Sequence, residues 1–368
     1  MNKILALMLL VFITACTNTA NVPSCPNELS GILTAPVMDL SEFSAIIPLG
    51  NLYPPGHSVP TDHIYLVSNN EKDHIVNLYS PGDIILSSLY SSITTDKATG
   101  EVISSDYSIQ FIPCKGITIE LGHVADIPEN LKKVISGKKG QCHSGNKMGN
   151  TNEQCTYKIN TMTKAGDLIG YGNAKVGMAT LDLYSWNDNI NPPNYANPKR
   201  YSPNALHAFC PLDLYSGELR EQLYSRLGGL DKPRTIEPRC GEIMQDVLGT
   251  LQGAWFGEAE DPMNSGKVVS LVHDNINPTL AVVLVAGHIS QPGRMTFVPR
   301  HEGRFNREFS EVTADGKIYC YHDEAEEAVP LTGMLLIRLE NDREITIEHK
   351  EGECNENEVF EMPYQFVR

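Results

Sequence analysis

The last third of the chain is a succession of short apolar segments: TLQGAWFG, KVVSLVHD, LAVVLVAG, RMTFVPR, KIYCYHD, GMLLIRLE, EITIEHKEG and EVFEMPYQF. They lie roughly 10–15 residues apart with turn residues between them, too short for helices and rich in β-branched and aromatic side chains. Eight such strands predict a small antiparallel β-barrel or sandwich over 231–368. The same alternation of strand and turn runs through HIYLV, DIILSSL, YSIQFIP, GITIELGHV and MATLDLYSW in the first half. The fold class is therefore mostly β. An antiparallel domain with short helices is expected over 48–230, followed by the second antiparallel domain. Helices are expected at Leu40–Ile46, Pro128–Ser136 and Ser216–Leu227, the last ending at Gly228-Gly229. TKAGDLIGYGN reads as a glycine-punctuated hairpin, 137–157 as a polar loop, and Asp231–Gly241 as a linker.

Residues 1–15, MNKILALMLLVFITA, contain an unbroken apolar run from Ile4 to Ile13. A helix of that length rises about 15 Å, half of a hydrocarbon core of about 30 Å. The segment reads as a secretory signal rather than a span. Ile13-Thr14-Ala15-Cys16 resembles a bacterial lipobox. That resemblance implies cleavage before Cys16, acylation there with palmitate-type chains, and an exported lipoprotein held to a membrane by its lipid anchor. Thr17 follows in place of an acidic residue, which in a diderm implies the outer membrane. The alternative is a plain signal peptide. Residues 16–47 are then a lipidated tether, rich in Asn, Thr, Ser and Pro, with the short helix at its end.

Of nine cysteines, setting Cys16 aside leaves an even eight, which in an exported chain suggests disulfides. Sequence neighbours suggest Cys142–Cys155, Cys210–Cys240 and Cys320–Cys354, with Cys25 and Cys114 left to pair. With 29 Lys+Arg against 45 Asp+Glu the net charge is −16, which argues against nucleic acid as a partner.

Chemistry concentrates in GNLYPPGHSVPTDHIYL, residues 50–66, where two histidines and an aspartate sit in a loop stiffened by Pro54, Pro55 and Pro60. His57 lies on the loop and His63 opens the strand. If the chain is extended from Asp62, His63 and Tyr65 share a face while Asp62 and Ile64 point the other way. Imidazoles with carboxylates are zinc-type ligands, although the same side chains also cap turns.

The order of these elements resembles the lysostaphin-type zinc endopeptidases of peptidoglycan. His57 with Asp62-His63 stands at the family's HxxxD, and His123 in ELGHV at its lone histidine. Lys164-Ala165-Gly166-Asp167-Leu168-Ile169-Gly170 matches its V-x-x-G-D-x-I-G hairpin, and Thr180-Leu181-Asp182 falls where HxH should be. The resemblance covers about 48–187 and implies a small antiparallel β-groove. It further implies a zinc set of His57, His63 and Asp182, with Asp62 as the alternative carboxylate, and a catalytic His123 that stabilises an oxyanion or moves a proton. The chain departs from the family in its longer His-to-Asp spacing and at Thr180, which cannot act as a base near neutral pH.

Three functions compete. One is a degenerate groove serving as a binding or accessory module in the cell envelope. Another is a zinc-dependent hydrolase of peptidoglycan or envelope peptides. The third is a ligand-binding barrel with a structural front domain. Other motifs fail: no GxSxG is present, Gly137-Lys138-Lys139-Gly140 lacks the GK[ST] of a P-loop, and Phe305 stands at the second histidine of His301-Glu302 read as HExxH. His273, Asp274 and Asn275 read as turn chemistry, and Trp255 and Phe256 as core. Glu326-Glu327 belongs to an acidic turn, and His207 and His349 show no partner pattern.

Overall fold

The computed structural model describes residues 21–69, 74–173, 180–257, 266–325 and 329–368. The leader, Cys16 and Glu326-Glu327 lie outside the described residues. The protein is mostly β. No helix among the described residues is long and apolar enough to cross a membrane.

Among the described residues ten strands build the front half: β1 (Phe43–Ile47), β2 (His63–Ser68), β3 (Ile75–Tyr79), β4 (Ile84–Thr95), β5 (Val102–Cys114), β6 (Ile117–Val124), β7 (Gln141–Lys147), β8 (Asn150–Thr163), β9 (Leu168–Asn173) and β10 (Thr180–Asn187). Eight of them form one antiparallel sheet in the order β1-β2-β10-β6-β5-β4-β8-β7, and β3 and β9 pair separately. Period-two alternation gives the sheet two faces. Leu89, Ile109, Leu121, Leu183 and Ile64 occupy matching register positions on successive strands, and all are buried. They carry the core, which extends to Leu33, Val37, Phe43, Leu214 and Tyr215. The opposite face is polar.

Several expectations are corrected. Leu40–Ile46 is a 3-10 turn, Leu40–Glu42, followed by edge strand β1, where a bulge between Phe43 and Ala45 lets both Phe43 and Ile46 reach the core. Residues 33–38, expected in the tether, belong instead to the folded domain, because Leu33, Val37 and Met38 are core residues. Residues 141–157 are not a loop but the hairpin β7–β8, with Cys142 directly opposite Cys155. In TKAGDLIGYGN the turn forms, with Gly166 at φ 84°, but β9 leaves β8 and pairs with β3. Gly170 is required there, because a Cβ would stand 2.7 Å from Val124 Cγ1. The linker is held fast: Arg234 is buried and donates to Pro238 O and Asn275 O, and Cys240 is bonded to Cys210. The helices at 128–136 and 216–227 form as Glu129–Ser136 and Gly217–Tyr224.

All four disulfides connect as the neighbour pattern suggests, including Cys25–Cys114.

The second half contains the eight expected strands: β11 (Gly253–Gly257), β12 (Val268–His273), β13 (Ala281–Val285), β14 (Gly293–Phe297), β15 (Tyr319–His322), β16 (Met334–Asn341), β17 (Glu344–Lys350) and β18 (Tyr364–Val367). They form an antiparallel sheet, β14-β13-β12-β11-β18-β17-β16-β15, that closes almost into a barrel. Backbone bonds from Arg294 N to Val329 O and from Glu324 N to Thr296 O bridge the seam. Trp255, Phe297, Phe309, Tyr321 and Phe366 fill the interior. The unbroken apolar runs of β12 and β13 have a physical cause. Val269, Leu271, Val283 and Val285 face inward, while Val268, Val272, Val282 and Leu284 pack outward with Leu52 and Val59 of the front half. Strands covered on both faces lose their polar alternation.

The His273-Asp274-Asn275 trio is turn chemistry, as expected. Asp274 Oδ1 accepts from Ile276 N and Asn277 N, and Asn275 Nδ2 donates to Pro48 O. His273 also pairs with Glu308 at 3.1 Å. The hydrogen bond to Glu308 raises the His273 pKa against the effect of burial, and Glu242 adds to the rise. Burial pushes Glu308 up, but the bond and charge of His273 outweigh it and hold that carboxyl below its ordinary 4.5. The histidine contribution is therefore complete below pH 6.5 and lost as pH rises through the raised value. The glutamate contribution is complete above pH 4.5 and lost as pH falls through the lowered value. His273→Gln should cost about 1 kcal/mol near pH 5.5 and distinctly less near pH 9. Urea midpoints at the two pH values check this, and equal losses would show that the charge is immaterial.

Candidate functional site

Three adjacent strands, β2, β10 and β6, bring the sequence-predicted residues together on the polar face. Register places Tyr184 opposite His63, and Asp182 opposite both Tyr65 and Gly122. His123 should point into the core by alternation, since Ile117, Ile119 and Leu121 do. A bulge prevents this. The β5–β6 register shifts between Ile109 and Tyr107, His123 adopts φ 60°, and Val124 takes the buried position instead. The extra residue turns the imidazole onto the site face. Gly122 keeps the strands close, because a Cβ there would meet Asp182 Cβ and Tyr184 Cε2 at 3.3 Å.

Asp182 lies at the centre, 2% exposed. Its Oδ2 is 3.5 Å from His63 Nε2 and 3.3 Å from His123 Nε2, and accepts from Tyr184 OH at 3.3 Å. Each histidine is backed by a second carboxylate: His63 Nδ1 lies 3.1 Å from Asp62 Oδ1, and His123 Nδ1 3.4 Å from Asp106 Oδ2. Asp62, read as facing away, reaches back to His63 because it precedes the strand. It orients that ring rather than joining Asp182 at its front. Hydrogen bonding to Asp106, then to Asp182, raises the His123 pKa to about 10, so this ring is a cation at neutral pH.

His57 completes the group from the proline loop, its ring 5.5 Å from that of His63 and 5.8 Å from that of Tyr65. Burial, then the neighbouring His63, lowers its pKa. Reciprocal backbone bonds between Tyr53 and His57 close the loop. The barrel grips it as well: Ser270 Oγ donates to Ser58 O at 2.6 Å.

The donor types suit zinc, and the carboxylate behind each imidazole is the usual orienting device of metal-bound histidine. His63 presents Nδ1 to Asp62 and Nε2 to Asp182. His63 Nε2 and Asp182 Oδ1 are both buried without a hydrogen-bond partner. A buried polar atom without a partner is stabilised by a proton or a cation placed against it. The donors are nevertheless not set as a cage, and no group of three or more His, Cys, Asp or Glu among the described residues is arranged to hold a metal ion. Thr180, two residues before Asp182, pairs with Val67 and contributes no ionisable group.

Sequence reasoning missed Asp106, Tyr184 and Glu120. Asp106 lies in the strand before β6, and only the β4–β5–β6 pairing brings it near His123. Tyr184 shares period-two phase with Asp182, a signal that could have found it. Glu120, opposite Tyr184, is pushed up by burial despite a hydrogen bond from Gln110. Elsewhere, a cavity of about 630 Å³ lies beside Cys210–Cys240, but its arginines are engaged, Arg220 with Asp213 and Arg239 with Tyr224 O.

In comparisons with protein-family models, curated proteins and solved structures, nothing matches this chain.

Proposed function

We propose that the front half is a peptidase-derived groove that binds a cell-envelope ligand without hydrolysing it, carried by a lipid-anchored exported protein. The observation that carries this reading is Thr180. The strand that supplies Asp182 to the two histidines offers no base at the position where a hydrolase of this type would hold one. The order β2-β10-β6, with His63, Asp182 and His123 on one face, supports descent from a peptidase site. The packed interior of the barrel weighs against a ligand held inside it.

A second reading, a zinc hydrolase, is favoured by one observation, the buried and unpartnered His63 Nε2 and Asp182 Oδ1. His57, His63 and Asp182 would hold the ion, which when bound supplies a Lewis acid and an activated water. His123, as an imidazolium, would donate to a developing oxyanion.

Sedimentation of the leaderless protein with insoluble peptidoglycan, with and without zinc, separates the two. Binding predicts co-sedimentation and no soluble fragments in either condition. Fragment release that His63→Ala abolishes, together with stoichiometric zinc, would replace binding by hydrolysis. A protein that stays in the supernatant throughout would sink both.

A further inference from the structure

The polar face of the front sheet does not stop at the histidines. Register aligns one side chain from each of six strands in a single row: His63, Tyr184, Glu120, Gln110, Ser88 and Lys158. At about 4.8 Å per strand the row spans roughly 24 Å. Its middle is internally oriented, Ser88 Oγ donating to Gln110 Oε1 at 2.8 Å and Gln110 Nε2 to Glu120 Oε2 at 2.7 Å. His63 is buried, Tyr184, Glu120, Gln110 and Ser88 are half-buried and Lys158 is exposed, so the row opens progressively toward Lys158. Beside it, Tyr90 stands half-buried opposite Ser108 and Thr156 on the same face.

The far end differs in charge from the rest of the molecule. Between residues 137 and 160, Lys138, Lys139, Lys147 and Lys158 stand against Glu153 alone, in a chain of net charge −16. These lysines lie on or beside the β7–β8 hairpin, whose first strand is exposed throughout and which Cys142–Cys155 holds in register. The positive end is thus displayed on a fixed support.

We propose that this face is a binding track for a linear glycan bearing carboxylate groups, running from the His63–Asp182 site to the lysines of the hairpin. Hydroxyl and amide side chains match sugar hydroxyls, the Tyr90 ring offers apolar surface to a pyranose face, and the lysines meet the carboxylates. An extended peptide would instead seek a strand edge for backbone pairing, and this row lies in the sheet interior. The track deepens the binding reading, with which it shares only its inner end.

The test is calorimetric titration of the leaderless full-length protein with oligogalacturonate, neutral dextran oligosaccharide and poly-glutamate. Oligogalacturonate should bind, and Lys158→Glu and Tyr90→Ala should each weaken it about tenfold, a 1.4 kcal/mol effect. Lys317→Glu, the same charge change on the barrel, should leave it unaltered. Lys158 is exposed, so its variant reports binding and not folding. The proposal is overturned if oligogalacturonate does not bind, if poly-glutamate binds equally well, or if Lys317→Glu is as damaging as Lys158→Glu. Peptidoglycan co-sedimentation without oligogalacturonate binding would defeat the track alone. Oligogalacturonate binding without co-sedimentation would defeat the peptidoglycan reading alone.

Discussion

Replacing Asp182 by alanine should destabilise the front half by about 3 kcal/mol, the scale on which removing one partner breaks a buried charge pair. Asp182 is the one anion placed between His63 and His123, and it also accepts from Tyr184. Without it the His123 cation keeps only Asp106, whose side chain is 45% exposed and solvent-screened. The buried Nε2 of His63 would then face a cavity. Asp182→Asn should cost distinctly less, because the amide preserves the volume and can donate to His63 Nε2. Urea unfolding of the two variants measures the difference. Losses of under 0.5 kcal/mol for both would show that the carboxylate does not hold the site together.

Arg368→Ala should cost the barrel about 4 kcal/mol. The guanidinium is 4% exposed and lies 3.9 Å above the Trp255 ring centroid. It donates to Val247 O and Gln252 O at 3.4 and 3.2 Å and also to Thr250 O. Burial lowers its pKa to about 10, which leaves it charged at neutral pH. Truncation removes a desolvated cation–π contact worth about 2 kcal/mol and leaves the carbonyls of one turn short of a donor. Arg368→Lys should recover little, since one ammonium cannot reproduce the planar fork that serves several carbonyls and stacks on the indole. Chemical unfolding followed by tryptophan fluorescence in a Trp186→Phe background, where Trp255 alone emits, reports the loss. A change of under 1 kcal/mol would mean that the apolar interior alone closes the barrel.

The two sites fail differently as objects of sequence reading. Arg368 and Trp255 are separated by more than a hundred residues, and their contact follows from β11 pairing with β18, the first strand of the barrel with the last. A local pattern carries no trace of such a closure. His57 and His63 are legible in the proline loop by residue type alone, whereas His123 and Asp182 become candidates only through the peptidase resemblance. Their backing groups are legible by neither route. Asp106 is one polar residue in a strand of many, and His123 by simple alternation belongs in the core. The hairpin of residues 141–157 was hidden for another reason: both its faces are polar, so no hydrophobic period marks it.

By itself the sequence determined what local patterns can encode. It set the strand-after-strand fold class, all eight barrel strands, two of three helices, the disulfide partners and the loop where chemistry concentrates. Period-two burial, turn residues and short loop closures act over a few residues and leave their mark there. Only the tertiary structure decided which face His123 occupies, that Asp182 lies between two carboxylate-backed imidazoles, and that a polar row continues from them to the lysine hairpin. Those outcomes depend on a one-residue bulge and on register across six strands. Register is fixed by the whole buried face at once, so no single segment of the chain records it.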